Sequence, residues 1–113
     1  MKVALCGAWH VHARDYIKKA LELSEVVGVW EEDEARRKSF CQEFNLPAFD
    51  SLDALLASDA EGVIVCTSSD THADVMVKIA DAGKHIFTEK ALCPTVAECL
   101  DVKKAIEDAG VTF

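Results

Sequence analysis

Short apolar runs alternate along this chain with longer stretches in which apolar residues return every three or four positions. Val3–Cys6, Val26–Trp30, Gly62–Cys66 and His85–Thr88 read as strands, and the nearly unbroken apolar character of the first and third marks strands covered on both faces. Ala13, Tyr16, Ile17, Ala20 and Leu21 recur at helical spacing and predict an amphipathic helix to about Leu23. Asp33 predicts the cap of a second helix reaching Phe44, with Phe40 and Phe44 inward and Arg36, Arg37 and Lys38 outward. Asn45-Leu46-Pro47 stops it, Ala48-Phe49 leaves room for a very short edge strand, and Asp50 or Ser51 caps a short helix from Leu52 to Ala57. Thr71-x-x-Asp74 resembles a capping box opening a further helix that Gly83 closes. Pro94 and Thr95-x-x-Glu98 open the last one, whose inward stripe is Cys99, Val102, Ile106 and Ala109 and whose end is Gly110. Val111-Thr112-Phe113 reads as a sixth strand cut off as it begins. Gly28, inside the second strand, predicts close packing of a helix against the sheet.

Strands and helices alternate from end to end, without hairpins or internal repeats. That alternation implies parallel strands, right-handed crossovers and helices on both faces: an α/β fold with a doubly wound parallel sheet. At 113 residues the chain fits one domain. A formal net charge of −8, with no long Lys/Arg run, argues against nucleic acid or an anionic membrane surface as partner. No apolar stretch approaches the ~18–20 residues of a membrane span, and the start lacks a cleavable signal pattern, so a cytoplasmic location is expected. Five cysteines without a C-x-x-C pair suit a reduced chain that uses cysteine as a small apolar filler.

The candidate chemistry gathers at one end of the strands. Gly7 follows the first, Glu31 the second, Thr67 the strand at Gly62–Cys66 and Lys90 the strand at His85–Thr88. Ligands of open parallel sheets bind outside the strands' carboxyl ends, at the point where strand order reverses. A glycine turn feeding a helix there aims backbone N–H groups and a helix dipole at one spot, which suits a phosphate.

The glycine turn at Gly7, the acidic end of the second strand and Leu46-Pro47-Ala48-Phe49-Asp50-Ser51-Leu52 carry a family resemblance. So do the stretch Val65–His72 and, most specifically, Ala82-Gly83-Lys84-His85-Ile86-Phe87-Thr88-Glu89-Lys90. Over its whole length the chain resembles the N-terminal nucleotide-binding domain of the Gfo/Idh/MocA oxidoreductases. The resemblance implies a Rossmann-like, three-layer αβα fold with strand order 3-2-1-4-5 and a partial sixth strand. It implies NAD as cofactor, favoured over NADP because the Glu31 charge repels a 2′-phosphate, a preference that Arg36 or Arg37 would blunt by folding back from their solvated positions. Gly7, Ala8, Trp9, His10 and Val11 would cradle the pyrophosphate, Glu31 would take the adenosine ribose, and Thr67 and Ser68 would line the nicotinamide side. Glu89 joins the cofactor-binding set. His72 either reaches the same crevice or makes a backbone hydrogen bond at a helix start. Lys90 would be the catalytic lysine that binds or protonates the substrate oxygen during hydride transfer; otherwise it is a surface ion-pair partner of Glu89.

Four positions depart from the family pattern, one of them Ser68, which stands where the family usually has a proline after Thr67. Trp9 and His12 stand where G-x-G-x-x-G/A has small residues, and Ala91 replaces the proline of Glu-Lys-Pro. The resemblance also implies a C-terminal substrate and oligomerisation domain that this chain lacks. The expectation is therefore a portion, residues 1–113, that binds NAD without turning over substrate, cut from an oxidoreductase acting on a sugar, cyclitol or related small molecule and forming a homo-oligomer. The alternatives are a non-catalytic nucleotide-sensing or protein-binding module and, within the family, redox-neutral chemistry on tightly held NAD. His10-Val11-His12 also resembles the H-x-H of metal-dependent amidohydrolases, but those need a barrel of ~200 residues or more, so no metal is expected.

Overall fold

The computed structural model describes residues 1–113. Four strands form one parallel sheet: β1 (Lys2–Cys6), β2 (Glu25–Trp30), β3 (Gly62–Val65) and β4 (His85–Thr88), in the order β2-β1-β3-β4. The helices are α1 (Ala13–Leu23), α2 (Glu34–Phe44), α3 (Leu52–Leu56), α4 (His72–Asp81) and α5 (Val96–Ala109), with one 3₁₀ turn at Ser69–Thr71. The central strand β1 is apolar after Lys2 because its neighbours pair on both edges and helices cover both faces. One face of the sheet carries Ala4, Cys6, Val63, Val65 and Ile86, packed by Leu55 of α3, Met76 and Ile79 of α4, and Val102 of α5. The other carries Leu5 and Val29, packed by Ala13 and Ile17 of α1 and Phe40 of α2. The result is three layers.

The expected six-place strand order is reduced to four strands. The short edge strand is a single parallel bridge between Ala48 and Val29, because Pro47 offers no N–H and Ser51 already caps α3 two residues after Phe49. Beyond β4, Thr112 accepts one hydrogen bond from the Ile86 N–H at 2.9 Å, and no sixth strand follows. Gly28 sits where β2 shifts register against β1, and its close neighbour is a ring, not a helix: a Cβ there would lie 2.7 Å from Cε2 of Phe49.

Three helix starts follow the sequence. The side chains of Asp33, Ser51 and Thr95 each accept the backbone N–H three residues on. Thr71 does not cap α4. The 3₁₀ turn has already placed it in helical geometry, so its hydroxyl donates back to the Ser68 carbonyl at 2.8 Å, while Asp74 pairs with Lys78. On α5 the buried stripe is Val102 and Ala105, flanked by half-buried Cys99 and Ile106, with Ala109 exposed. Lys84 is buried just before β4, where its ammonium donates to the carbonyls of Ser58 and Ala60 at 2.9 and 2.7 Å. All five cysteines are free; Cys6, Cys41 and Cys66 are buried and Cys93 and Cys99 half-buried. No helix is long and apolar enough to cross a membrane.

Candidate functional site at the carboxyl ends of the strands

The loop from β1 to α1 forms the middle of the rim. Gly7 has φ +91°, and an added Cβ would lie 2.5 Å from the Thr67 nitrogen, so only glycine lets the ends of β1 and β3 approach this closely. Most loop N–H groups are already used within the protein. Gly7 donates to the Trp30 carbonyl at 2.7 Å, Ala8 to Glu31 Oε2 at 2.6 Å, and His10 to the Cys66 carbonyl at 3.2 Å. The N–H groups of Trp9 and Val11 have no partner and remain available to an anion. The Trp9 ring is 53% exposed; it stands on the wall of the adjoining cleft and does not fill it.

That cleft, about 200 Å³, is lined by Trp9, Trp30, Glu31, Glu32, Arg36, Thr67 and Ser68. Glu31 is buried at its base, with both oxygens engaged. Besides Ala8, it accepts the Asp33 N–H at 3.2 Å and the Arg36 guanidinium at 3.0 Å, both on Oε1. Arg37 donates to the Glu31 carbonyl at 3.0 Å. Both arginines expected in solvent therefore fold back onto the end of β2, because a buried carboxylate is costly without a cation or hydrogen-bond donors.

On the far side of Gly7, Thr67 Oγ1 is buried without any partner, an orphaned polar atom at the rim. His72 does not face the cleft. It is buried beneath the rim, with Nε2 2.9 Å from the Thr67 carbonyl and Nδ1 2.9 and 3.1 Å from those of Ala91 and Leu92. It brackets the chain leaving β3 to the chain leaving β4. Glu89, at the end of β4, is buried as well. Its Oε1 accepts the Lys90 N–H at 3.1 Å; its Oε2 accepts the Tyr16 hydroxyl and lies 3.1 Å from His12 Nδ1. The Tyr16 hydrogen bond and then that of His12 hold the Glu89 carboxyl down at about 2, while the same bond pushes the Tyr16 phenol up to about 12. Lys90 itself is exposed and its ammonium enters no ion pair; Glu89 takes its backbone N–H, not its side chain.

A family model described as an oxidoreductase family with an NAD-binding Rossmann fold, GFO_IDH_MocA, matches residues 1–113. The chain belongs to this family. Among curated relatives, it is 35% identical over 82 residues to a 2,7-anhydro-N-acetylneuraminate hydratase of Escherichia coli, an alignment spanning 72% of this chain and 22% of that protein. Among solved structures, a UDP-N-acetylglucosamine 3-dehydrogenase from Acidithiobacillus ferrooxidans superposes with a TM-score of 0.90 at 27% identity, covering 98% of this chain and 35% of the other. The WlbA dehydrogenase from Chromobacterium violaceum, solved in complex with NADH and UDP-GlcNAcA, gives 0.89 at 27% identity, covering 98% and 33%. The chain thus spans between about a fifth and about a third of the length of these relatives.

Within this Gfo/Idh/MocA domain, the rim brings together Gly7, Ala8, Trp9, Glu31, Thr67 and Ser68. His10, Val11, Glu89 and Lys90 lie farther round it, and His72 lies below. Sequence reasoning missed Tyr16, which looked like one more inward residue of α1, and the partnership of His12 with Glu89. No local signal joins positions 77 apart in the chain.

Proposed function

We propose that this domain binds NAD along the rim and belongs to an oxidoreductase that moves a hydride to or from a carbon of a sugar, cyclitol or related small molecule. The observation that carries the reading is the convergence of Gly7, Glu31, Thr67 and Lys90 on the carboxyl ends of adjacent parallel strands. The fit to a dinucleotide rests on free N–H groups at Trp9 and Val11 for the diphosphate, a buried carboxylate at Glu31 for the ribose, and the unpartnered hydroxyl of Thr67. The cleft of about 200 Å³ is below the ~300–1,000 Å³ of a whole small-molecule pocket, so it suits one part of such a ligand. Bound NAD supplies a hydride acceptor. Lys90, exposed and unpaired, would hold a proton at Nζ against the substrate oxygen.

In this reading a longer polypeptide extends the sheet to its six-place order and adds a second domain that binds substrate and mediates a homo-oligomer in the cytoplasm, with no nucleic-acid partner. Residues 1–113 alone bind cofactor without turnover. Calorimetric titration with NADH and NADPH, on this chain and on Glu31→Ala, tests it. Tighter binding of NADH that Glu31→Ala weakens about tenfold, the loss of one charge-assisted hydrogen bond, is the expected result. Absence of binding for both would favour a partner-protein module. The 35% identity to a hydratase supports a second reading, redox-neutral chemistry on tightly held NAD. Cofactor that leaves substrate turnover unreduced in single-turnover absorbance, in the full-length protein, distinguishes it.

A further inference from the structure

Across the β1–α1 loop from the cleft, three metal-ligating side chains meet. His10 and His12 lie two residues apart in a turn, and their imidazole centroids are 4.9 Å apart. Glu89 reaches them from the end of β4, and one ligand atom from each of the three lies within 4.8 Å of the others. We infer that His10, His12 and Glu89 form a binding site for a divalent transition metal of the Zn²⁺ type, with an open position for an oxygen ligand.

The donor set is the first support. Two imidazoles and one carboxylate are what a three-ligand zinc site with a free fourth position uses. The second support is how the carboxylate is held. The Lys90 N–H on Oε1 and the Tyr16 hydroxyl on Oε2, the oxygen that faces His12, hold Glu89 in place, as outer hydrogen bonds orient metal-binding carboxylates. The third is access, since Glu89 is buried while the His12 side chain is 48% exposed and leaves an entry path. His12 Nδ1 lies 3.1 Å from Glu89 Oε2, and as a metal ligand it would have to be free of its proton. His10 Nδ1 now accepts the His12 N–H at 3.1 Å, a bond that must yield if this nitrogen becomes the ligand. A cation so held sits one residue from Lys90, where it could polarise a water or a substrate hydroxyl or carbonyl oxygen. The inference does not depend on dinucleotide binding.

Zn²⁺ titration of residues 1–113 against a chromophoric chelator tests it, together with Co²⁺ absorption spectra. One equivalent of Zn²⁺ should bind, and His10→Ala, His12→Ala and Glu89→Gln should each abolish it. Tyr16→Phe should weaken it about 10- to 100-fold. A Cys93→Ser/Cys99→Ser double variant should bind normally, and Co²⁺ should show visible bands without a sulfur charge-transfer band. Circular dichroism of the exposed-loop variant His12→Ala separates lost metal from lost fold. Failure to compete with the chelator, binding unchanged in the histidine variants, or a thiolate band would each overturn the assignment.

Discussion

Two buried glutamates mark the two ends of the rim, and they are held in different ways. Glu31, after β2, meets a cation: Arg36 lies on Oε1, alongside backbone N–H groups of Ala8 and Asp33. Glu89, after β4, meets no arginine or lysine side chain; a phenol, an imidazole and a backbone N–H satisfy it. Both are gripped by the same loop, through Ala8 on one side and His12 on the other. A carboxylate balanced by a half-exposed guanidinium can exchange that partner for a ligand hydroxyl. One held by a phenol and a backbone N–H from the protein itself is kept oriented towards the His12 imidazole.

The loop they share is the most sensitive point of that contrast. Gly7→Ala would force a Cβ to 2.5 Å from the Thr67 nitrogen at φ +91°, and should cost about 3 kcal/mol or more in urea unfolding. A neutral result would mean that the loop does not hold the two ends together. Next in size, Glu89→Ala strands the Tyr16 hydroxyl and the Lys90 N–H and should cost about 1–3 kcal/mol. Its pH signature follows from a folded-state carboxyl lowered from 4.5 to about 2. The stability it contributes is complete above about pH 4.5 and is lost as pH falls towards 2. Unfolding midpoints across that window should lose part of their acid slope in Glu89→Gln; an unchanged slope would place the locked carboxylate elsewhere. At the alkaline end, the stabilisation by neutral Tyr16 is complete below the ordinary pH 10 and is lost as pH rises from there through about 12.

Arg36→Ala should be milder, about 1 kcal/mol or less, because the guanidinium is partly solvated and Glu31 keeps two backbone donors. It should also raise the calorimetric preference for NADH over NADPH, since the cation that offsets the Glu31 charge is gone. An equal loss of both ligands would mean that Arg36 shapes the cleft and does not tune its charge. The smallest effect belongs to Lys90→Ala, within about 0.5 kcal/mol by thermal unfolding, as expected for an exposed side chain without partners.

The sheet and its rim were legible because they are written in local pattern. Short apolar runs such as Val3–Cys6 and Gly62–Cys66, set between turn residues, read as strands covered on both sides, and parallel topology carries the residues that follow them to one edge. Caps at Asp33, Ser51 and Thr95 are equally local. What escaped depends on distance through space. Phe49 covers Gly28 from 21 positions away, where a helix was expected. Arg36 and Arg37 looked solvated because helical periodicity reports the face of a residue, not the reach of a long side chain back past the helix start. His72 sits at a helix start near the crevice, which is where a ligand-binding residue would also sit; only its carbonyl partners at Thr67, Ala91 and Leu92 turn it into a bracket.

The cysteines give this chain a built-in clock. Cys66 lies directly beneath the Gly7 turn, and burial raises its thiol to about 12; Cys6, beside it on β1, is raised further by the same cause. Burial likewise holds the half-buried Cys93 thiol up at about 11, so an alkylating reagent at neutral pH should mark half-buried Cys99 first and reach Cys66 only when β1 and β3 part at their tips. The labelling rate of one native thiol then times the opening of the rim, without any engineered cysteine.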